Sequence, residues 1–170
     1  RAIAANQPVG LVHIDAHTDC CDEEMNSKYS HGTPFRRAIE EGLLDPNRTI
    51  QIGIRGAANS EECWEFGEKH GIRIIYIEEF SEIGVANVIN EARKIVGDQR
   101  TYISFDIDGI DPAFAPGTGT PEIGGILPIE AQRLIRGLRG LNIIGADVVE
   151  VSPPFDLSGN TALIAATIMY

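Results

Sequence analysis

Gly10-Leu11-Val12-His13-Ile14 runs directly into Asp15-Ala16-His17-Thr18-Asp19, and far downstream Tyr102-Ile103-Ser104-Phe105 runs into Asp106-Ile107-Asp108. Each reads as a short buried strand that ends in an acidic cluster. Four carboxylates and an imidazole are therefore expected at the carboxyl edge of one sheet, the edge where open α/β sheets bind ligands. Residues two apart on an extended chain share a side, which would let Asp15, His17 and Asp19 converge, and likewise Asp106 and Asp108. Carboxylates packed so closely are driven to protonate unless cations lie among them. Oxygen-rich ligation with a single imidazole suits a pair of hard divalent ions, Mn²⁺ before Mg²⁺, with zinc or cobalt kept open by His17. The bland alternative is a set of solvated aspartates capping turns or helices.

Working outward, β-branched runs recur at Val9–Ile14, Ile50–Ile54, Ile72–Ile77, Tyr102–Phe105 and Ile143–Val149. Helical patterns are expected over Thr33–Leu44, Ser60–Gly71, Val85–Gly97, Ile129–Leu138 and from Thr161 onward, with Gly71, Gly97 and Gly140 as stops. This βαβα alternation predicts a three-layer α/β/α fold around a central parallel sheet, in a single domain over residues 1–170. The stretch from Gly109 to Pro128, rich in proline and glycine, reads as a rigid pocket wall. Opening on Arg1 without a methionine and closing in an apolar helical pattern, the chain reads as cut at both ends.

A formal net charge of −11 disfavours nucleic acid and anionic membranes as partners and suits a cationic ligand. No apolar run reaches the roughly eighteen residues of a membrane span, and no signal pattern opens the chain. Three cysteines, Cys20, Cys21 and Cys63, are expected to pack or line a pocket rather than pair, which points to a reducing compartment, cytoplasm or organelle matrix.

Several other residues carry chemistry. His31, in Ser30-His31-Gly32-Thr33-Pro34, lies just before a helix and is either a mobile proton shuttle or a packing residue. His13 is either a further ligand or, as is commoner inside an apolar strand, a structural hydrogen-bonding group. His70 reads as a surface residue matched to a helix C-terminus. Glu150, at the end of a strand with Asp147 three residues earlier, could pair with a guanidinium. Thr118-Gly119-Thr120-Pro121-Glu122 offers hydroxyls and a carboxylate from the rigid loop.

These stretches, with Ser104-Phe105-Asp106-Ile107-Asp108-Gly109-Ile110-Asp111-Pro112 and Glu150-Val151-Ser152-Pro153, resemble the ureohydrolases: arginase, agmatinase, guanidinobutyrase and relatives. The resemblance implies an arginase/deacetylase-like fold and two Mn²⁺ ions bridged by Asp15 and Asp106. His17 and Asp108 would complete one ion's ligands, and Asp19 would belong to the other. It implies that His31 shuttles protons, that Thr120 and Glu150 hold the guanidinium, and that Asp111 is structural. Cys21 stands where arginases carry an asparagine that reads the amino acid's carboxylate, so agmatine or an ω-guanidino acid such as 4-guanidinobutyrate is the expected substrate rather than arginine. A further family histidine, in a glycine-rich motif well upstream of Asp15, has no counterpart in this sequence, leaving one metal a ligand short.

The implied reaction is hydrolysis of a guanidine C–N bond, releasing urea and an amine. Glu150 would fix the substrate, and Asp108 or His31 would deliver the leaving-group proton. The resemblance further implies a trimeric or hexameric homo-oligomer, in the cytoplasm or the mitochondrial matrix. Two rivals stand beside it: a mononuclear zinc amidohydrolase of the deacetylase type, which would leave Asp108 without a task, and an inactive fragment or non-catalytic partner that keeps the ureohydrolase fold.

Overall fold

A computed structural model describes residue 4 and residues 7–57 and 60–170. Five parallel strands form one sheet: β1 Val9–Ile14, β2 Leu44–Ile54, β3 Arg73–Tyr76, β4 Thr101–Asp106 and β5 Ile143–Val149, in the order β3-β2-β1-β4-β5. Helices α1 Pro34–Glu40 and α2 Glu61–His70 pack on one face; α3 Ile77–Val96, α4 Pro128–Gly137 and α5 Asn160–Met169 pack on the other. The expected three-layer architecture is present.

Alternation along β1 builds both interiors. Val12 and Ile14 enter the larger core with Ile50, Ile52, Phe105 and the apolar faces of α3, α4 and α5, while Val9 and Leu11 face α1. His13 shares the α1 side, its ring against Phe35 at a centroid distance of 4.3 Å. Such burial on both faces is why the strands read as nearly continuous apolar runs. At Gly53 the backbone takes a φ of +95° and the register with β3 shifts, so Ile54 joins the opposite core from Ile52.

Boundaries differ from the expectations in three places, each for a local reason. Helix α1 ends at Glu40, because Gly42 turns left-handed at a φ of +70° and the Leu43 amide returns to the Ala38 carbonyl. Strand β2 begins at Leu44, where pairing with Val9 recruits a stretch whose Pro46 and Asn47 signal a turn. Helix α3 starts at Ile77 and is kinked at Gly84, whose φ of +76° and ψ of +155° separate an unanticipated first segment from the expected second one. Gly71 does cap α2 in a left-handed conformation.

Strand β1 is where the sheet reverses direction, with β2 and β3 laid out on one side and β4 and β5 on the other. The carboxyl ends of β1 and β4 therefore flank the crevice that open α/β sheets use for ligands.

Candidate functional site

The five expected ligands come together at that crevice, but not by strand alternation. Beyond Ile14 the chain bends, and beyond Asp106 it closes a 3-10 turn over Ile107–Gly109. The expectation of extended ligand segments is corrected by these turns, because each aspartate side chain folds its own backbone. Asp15 Oδ1 accepts the His17 amide at 2.6 Å, and Asp106 Oδ1 accepts the Asp108 amide at 2.9 Å. Aspartate two residues before an amide is a strong former of such Asx turns. Asp19 adopts a φ of +53°, which turns the chain toward α1.

Two groups of ligand-grade atoms result, each within 4.8 Å: Asp15, His17 and Asp108, and His13, Asp15 and Asp19. Asp15 is common to both. His17 Nδ1 lies 3.1 Å from Asp108 Oδ2 and 3.4 Å from Asp15 Oδ1. Asp106 is buried and lines the same cavity, though it falls outside both groups. The cavity, of about 300 Å³, is lined by His17, Asp19, Asp106 and Asp108 together with Thr120, Glu150 and His31 from other elements. Thr120 Oγ1 donates to Asp108 Oδ2 at 3.1 Å. Glu150 is exposed at the end of β5. His31 stands at the mouth, its side chain 52% exposed and its Nε2 3.4 Å from Glu24 Oε2.

Electrostatics show what this donor set lacks. Burial and the negative charges around them raise the carboxyls of Asp19 and Asp106 well above the usual range. Burial raises Asp108 as well, against its hydrogen bond from His17. Burial alone would lower His17, yet hydrogen bonds with Asp108 and Asp15 raise it far above an ordinary imidazole. Burial would likewise raise Asp15, but His13 and the hydrogen bonds it receives hold it well below the carboxylate norm. The cluster thus balances its charge with protons, a task that divalent cations perform better on oxygen donors. The residues fit a metal.

Sequence reading missed several groups that shape the site. Arg55, just past β2, donates from Nη2 to the carbonyls of Asp108 and Glu122, both at 2.7 Å, and from Nη1 to Gly53 at 3.1 Å. It ties the Gly109–Pro128 wall to the sheet edge. Gly56 leaves room for the His17 ring, since a Cβ there would stand 2.2 Å from its Cδ2. Glu24 accepts hydrogen bonds from Ser30 and from the Gly32 amide, fixing the loop that carries His31. Gln51 lies beneath the cluster, and its place amid Ile50 and Ile52 was the available signal of a buried polar contact. Asp147, read from the sequence only as a neighbour of Glu150, accepts hydroxyl hydrogen bonds from Tyr102 and Ser104, both at 2.8 Å.

Other expectations resolve cleanly. Asp111 is structural: it accepts amides of Ala113, Gly124 and Gly125. His70 engages the Phe66 carbonyl at the end of α2. The cysteine expectation is overturned, because Cys21 and Cys63 are disulfide-bonded and only Cys20 is free. Folding brings α2 against the loop after Asp19, a proximity that a separation of 42 residues conceals, and the cysteine argument for a reducing compartment loses its basis. No described helix is long and apolar enough to cross a membrane.

The arginase family profile matches residues 1–170. The chain belongs to the arginase family. This arginase-family chain is 60% identical to guanidinopropionase of Pseudomonas aeruginosa over its whole length and 50% identical to the mitochondrial guanidino acid hydrolase of Homo sapiens over 96% of it. It spans 54% and 46% of those relatives, about half of each. Among solved structures it resembles proclavaminate amidino hydrolase of Streptomyces clavuligerus, with a TM-score of 0.88 and 44% identity, covering 95% of this chain and 52% of that one. The arginase of Bacillus caldovelox superimposes with a TM-score of 0.84 at 29% identity, covering 95% of this chain and 59% of that one.

Proposed function

We propose that this arginase-family chain carries the metal-binding and guanidine-binding floor of a manganese-dependent amidinohydrolase that releases urea from a guanidino compound. The observation that carries the reading is Asp15. It is shared by two adjacent groups of ligand atoms, beneath a cavity walled by the groups a guanidinium requires. Asp15, His17 and Asp108 would hold one ion, Asp15 and Asp19 the other, with Asp106 supporting both. When bound, the ions supply Lewis-acid chemistry that lowers the pKa of water and polarises the substrate.

The chain's own residues account for binding and proton movement. The carboxylate of Glu150 suits a two-pronged, charge-assisted contact with a planar guanidinium. Thr120 has its hydroxyl hydrogen committed to Asp108, so its lone pairs are left to accept from a substrate N–H. His31, at the cavity mouth and paired with Glu24, can take a proton from solvent and pass it to the departing amine nitrogen. Asp108, deeper in the cavity, is the other candidate donor.

Relatives named for guanidinopropionate, guanidino acids and guanidinobutyrate, together with an agmatinase, match at 49–60% identity, and guanidinopropionase is the most similar of those named here. Guanidinopropionate therefore joins 4-guanidinobutyrate and agmatine as a candidate substrate. The test is urea release by Mn²⁺-loaded protein on these three and on arginine, with Asp108→Asn as control. Release on a guanidino acid, lost in the variant, is the expected result. If folded, metal-loaded protein releases urea from none of them, this chain does not hydrolyse guanidines.

A further inference from the structure

His13 belongs to one of the two groups of ligand-grade atoms, which makes it a candidate third ligand beside Asp15 and Asp19. Its hydrogen bonds argue otherwise. On the neighbouring strand, in direct register with His13, Gln51 lies fully buried. The Gln51 amide nitrogen is 2.6 Å from the Thr18 carbonyl oxygen, which can only accept, so this end of the side chain must be the NH₂. The same nitrogen is 3.1 Å from His13 Nδ1. Its second hydrogen faces His13 Nδ1 in preference to the Cys20 sulfur 3.9 Å away, a much weaker acceptor, and the ring nitrogen accepts it. Nδ1 is consequently the accepting nitrogen of the ring, and Nε2 carries the hydrogen. That hydrogen is donated to Asp15 Oδ2, 2.7 Å away.

We infer that His13 is not a metal ligand but a positioning residue: Gln51 fixes its tautomer, and its Nε2–H pins the shared carboxylate Asp15. The inference rests on the metal reading above. With Oδ2 held by His13 and Oδ1 by the His17 amide at 2.6 Å, the carboxylate is clamped at both ends, and Oδ2 keeps a lone pair. Both ring nitrogens of His13 are occupied, so ligation would require breaking a buried hydrogen bond. Its ring is also held laterally by Phe35. Support of this kind orients a ligand before the ion arrives, and its loss typically costs about 10- to 100-fold in metal affinity.

The test compares wild type with His13→Phe, which keeps a ring of similar size but cannot donate, with His13→Gln, whose amide can place a donor near Nε2, and with Gln51→Leu. Mn²⁺ affinity is read by electron paramagnetic resonance titration. The His13 tautomer is read by ¹⁵N NMR on metal-free protein, and folding by circular dichroism. Expected are an Nε2–H tautomer in wild type, about 10- to 100-fold weaker Mn²⁺ binding in His13→Phe, recovery to near wild type in His13→Gln, and a mixed tautomer with weakened binding in Gln51→Leu. A His13 protonated at Nδ1 would overturn the assignment. So would a folded His13→Phe that binds Mn²⁺ as wild type does, even with a lowered melting temperature, or a His13→Gln as weak as the phenylalanine variant. Wild-type protein that takes up no Mn²⁺ would sink the metal reading instead, and the tautomer signal, which needs no metal, would still decide how His13 and Gln51 are arranged.

Discussion

Glu150 and Asp19 both border the cavity with left-handed backbones, at φ of +62° and +53°. For a residue with a Cβ this conformation costs about 1–2 kcal/mol, and aspartate tolerates it better than glutamate. A strained carboxylate aimed along a cavity wall is what a binding role would preserve. Glu150→Gly should therefore raise stability by about 0.5–1 kcal/mol, the strain relief less the unfolded-chain entropy that glycine adds, while removing substrate binding. Glu150→Gln should leave stability unchanged and lower kcat/KM about 10- to 100-fold, since a hydrogen bond to a charged group contributes about 1.5–3 kcal/mol. Chemical denaturation and steady-state kinetics check both, and a glycine variant less stable than wild type would show that no strain resides there. Asp111 gives the pH prediction. Burial would raise its carboxyl, but the amides of Ala113, Gly125 and Gly124 hold it below the ordinary 3.8. The carboxyl is depressed in the folded state, so its contribution is fully present above 3.8 and is lost as pH falls through the lower folded value. Asp111→Asn turns an amide donor toward backbone donors. It should cost about 1–3 kcal/mol at pH 7 and flatten the acid limb of a stability-against-pH curve.

At the scale of elements, the site is two strand ends, one long wall and the ties between them. The strands were legible because their β-branched runs are buried on both faces, and the clustering of Asp15, His17, Asp19, Asp106 and Asp108 because these residues follow those runs directly. What was not legible depends on residues distant in sequence. Arg55 reads as an ordinary surface arginine until folding brings the carbonyls of Asp108 and Glu122 around its guanidinium. Gly56 reads as a loop glycine until the His17 ring lies against it. Alternation was the wrong geometry for this cluster because aspartate side chains compete for the backbone and turn it. The cysteine pair belongs with these long-range ties: it fastens the loop after Asp19 to α2, closing a segment of 42 residues. Unfolded protein that has met no reductant should titrate one thiol per chain, and reduced protein three, because only Cys20 is free. Cys63→Ser should lower stability by about 2–4 kcal/mol on loop-closure grounds, measured by denaturation without reductant. Three thiols before reduction would show that the pair is not formed.

Over the whole molecule, a formal charge of −11 includes four carboxylates placed where charge is least comfortable, with Asp15, Asp106 and Asp108 buried at the sheet's reversal point and Asp19 beside them. Relief of that charge can come from the ionic atmosphere or from ions held at the site, and the two respond differently to added salt. General screening depends on ionic strength and acts on every exposed carboxylate alike. A bound ion stabilises by mass action on the folded state alone, by about 2.7 kcal/mol at a hundred times its Kd. For a chain of this size that corresponds to a rise in melting temperature of about 5–11 °C. Millimolar Mn²⁺ should therefore raise the melting temperature, Mg²⁺ should do so less, and NaCl matched in ionic strength should have little effect. Asp108→Asn should lose most of the Mn²⁺ response while keeping the small response to NaCl, because it removes one ligand and leaves the surface charge almost unchanged. If NaCl reproduces the Mn²⁺ shift, or Asp108→Asn retains it, the buried carboxylates are being screened rather than coordinated, and the cluster is not a metal centre.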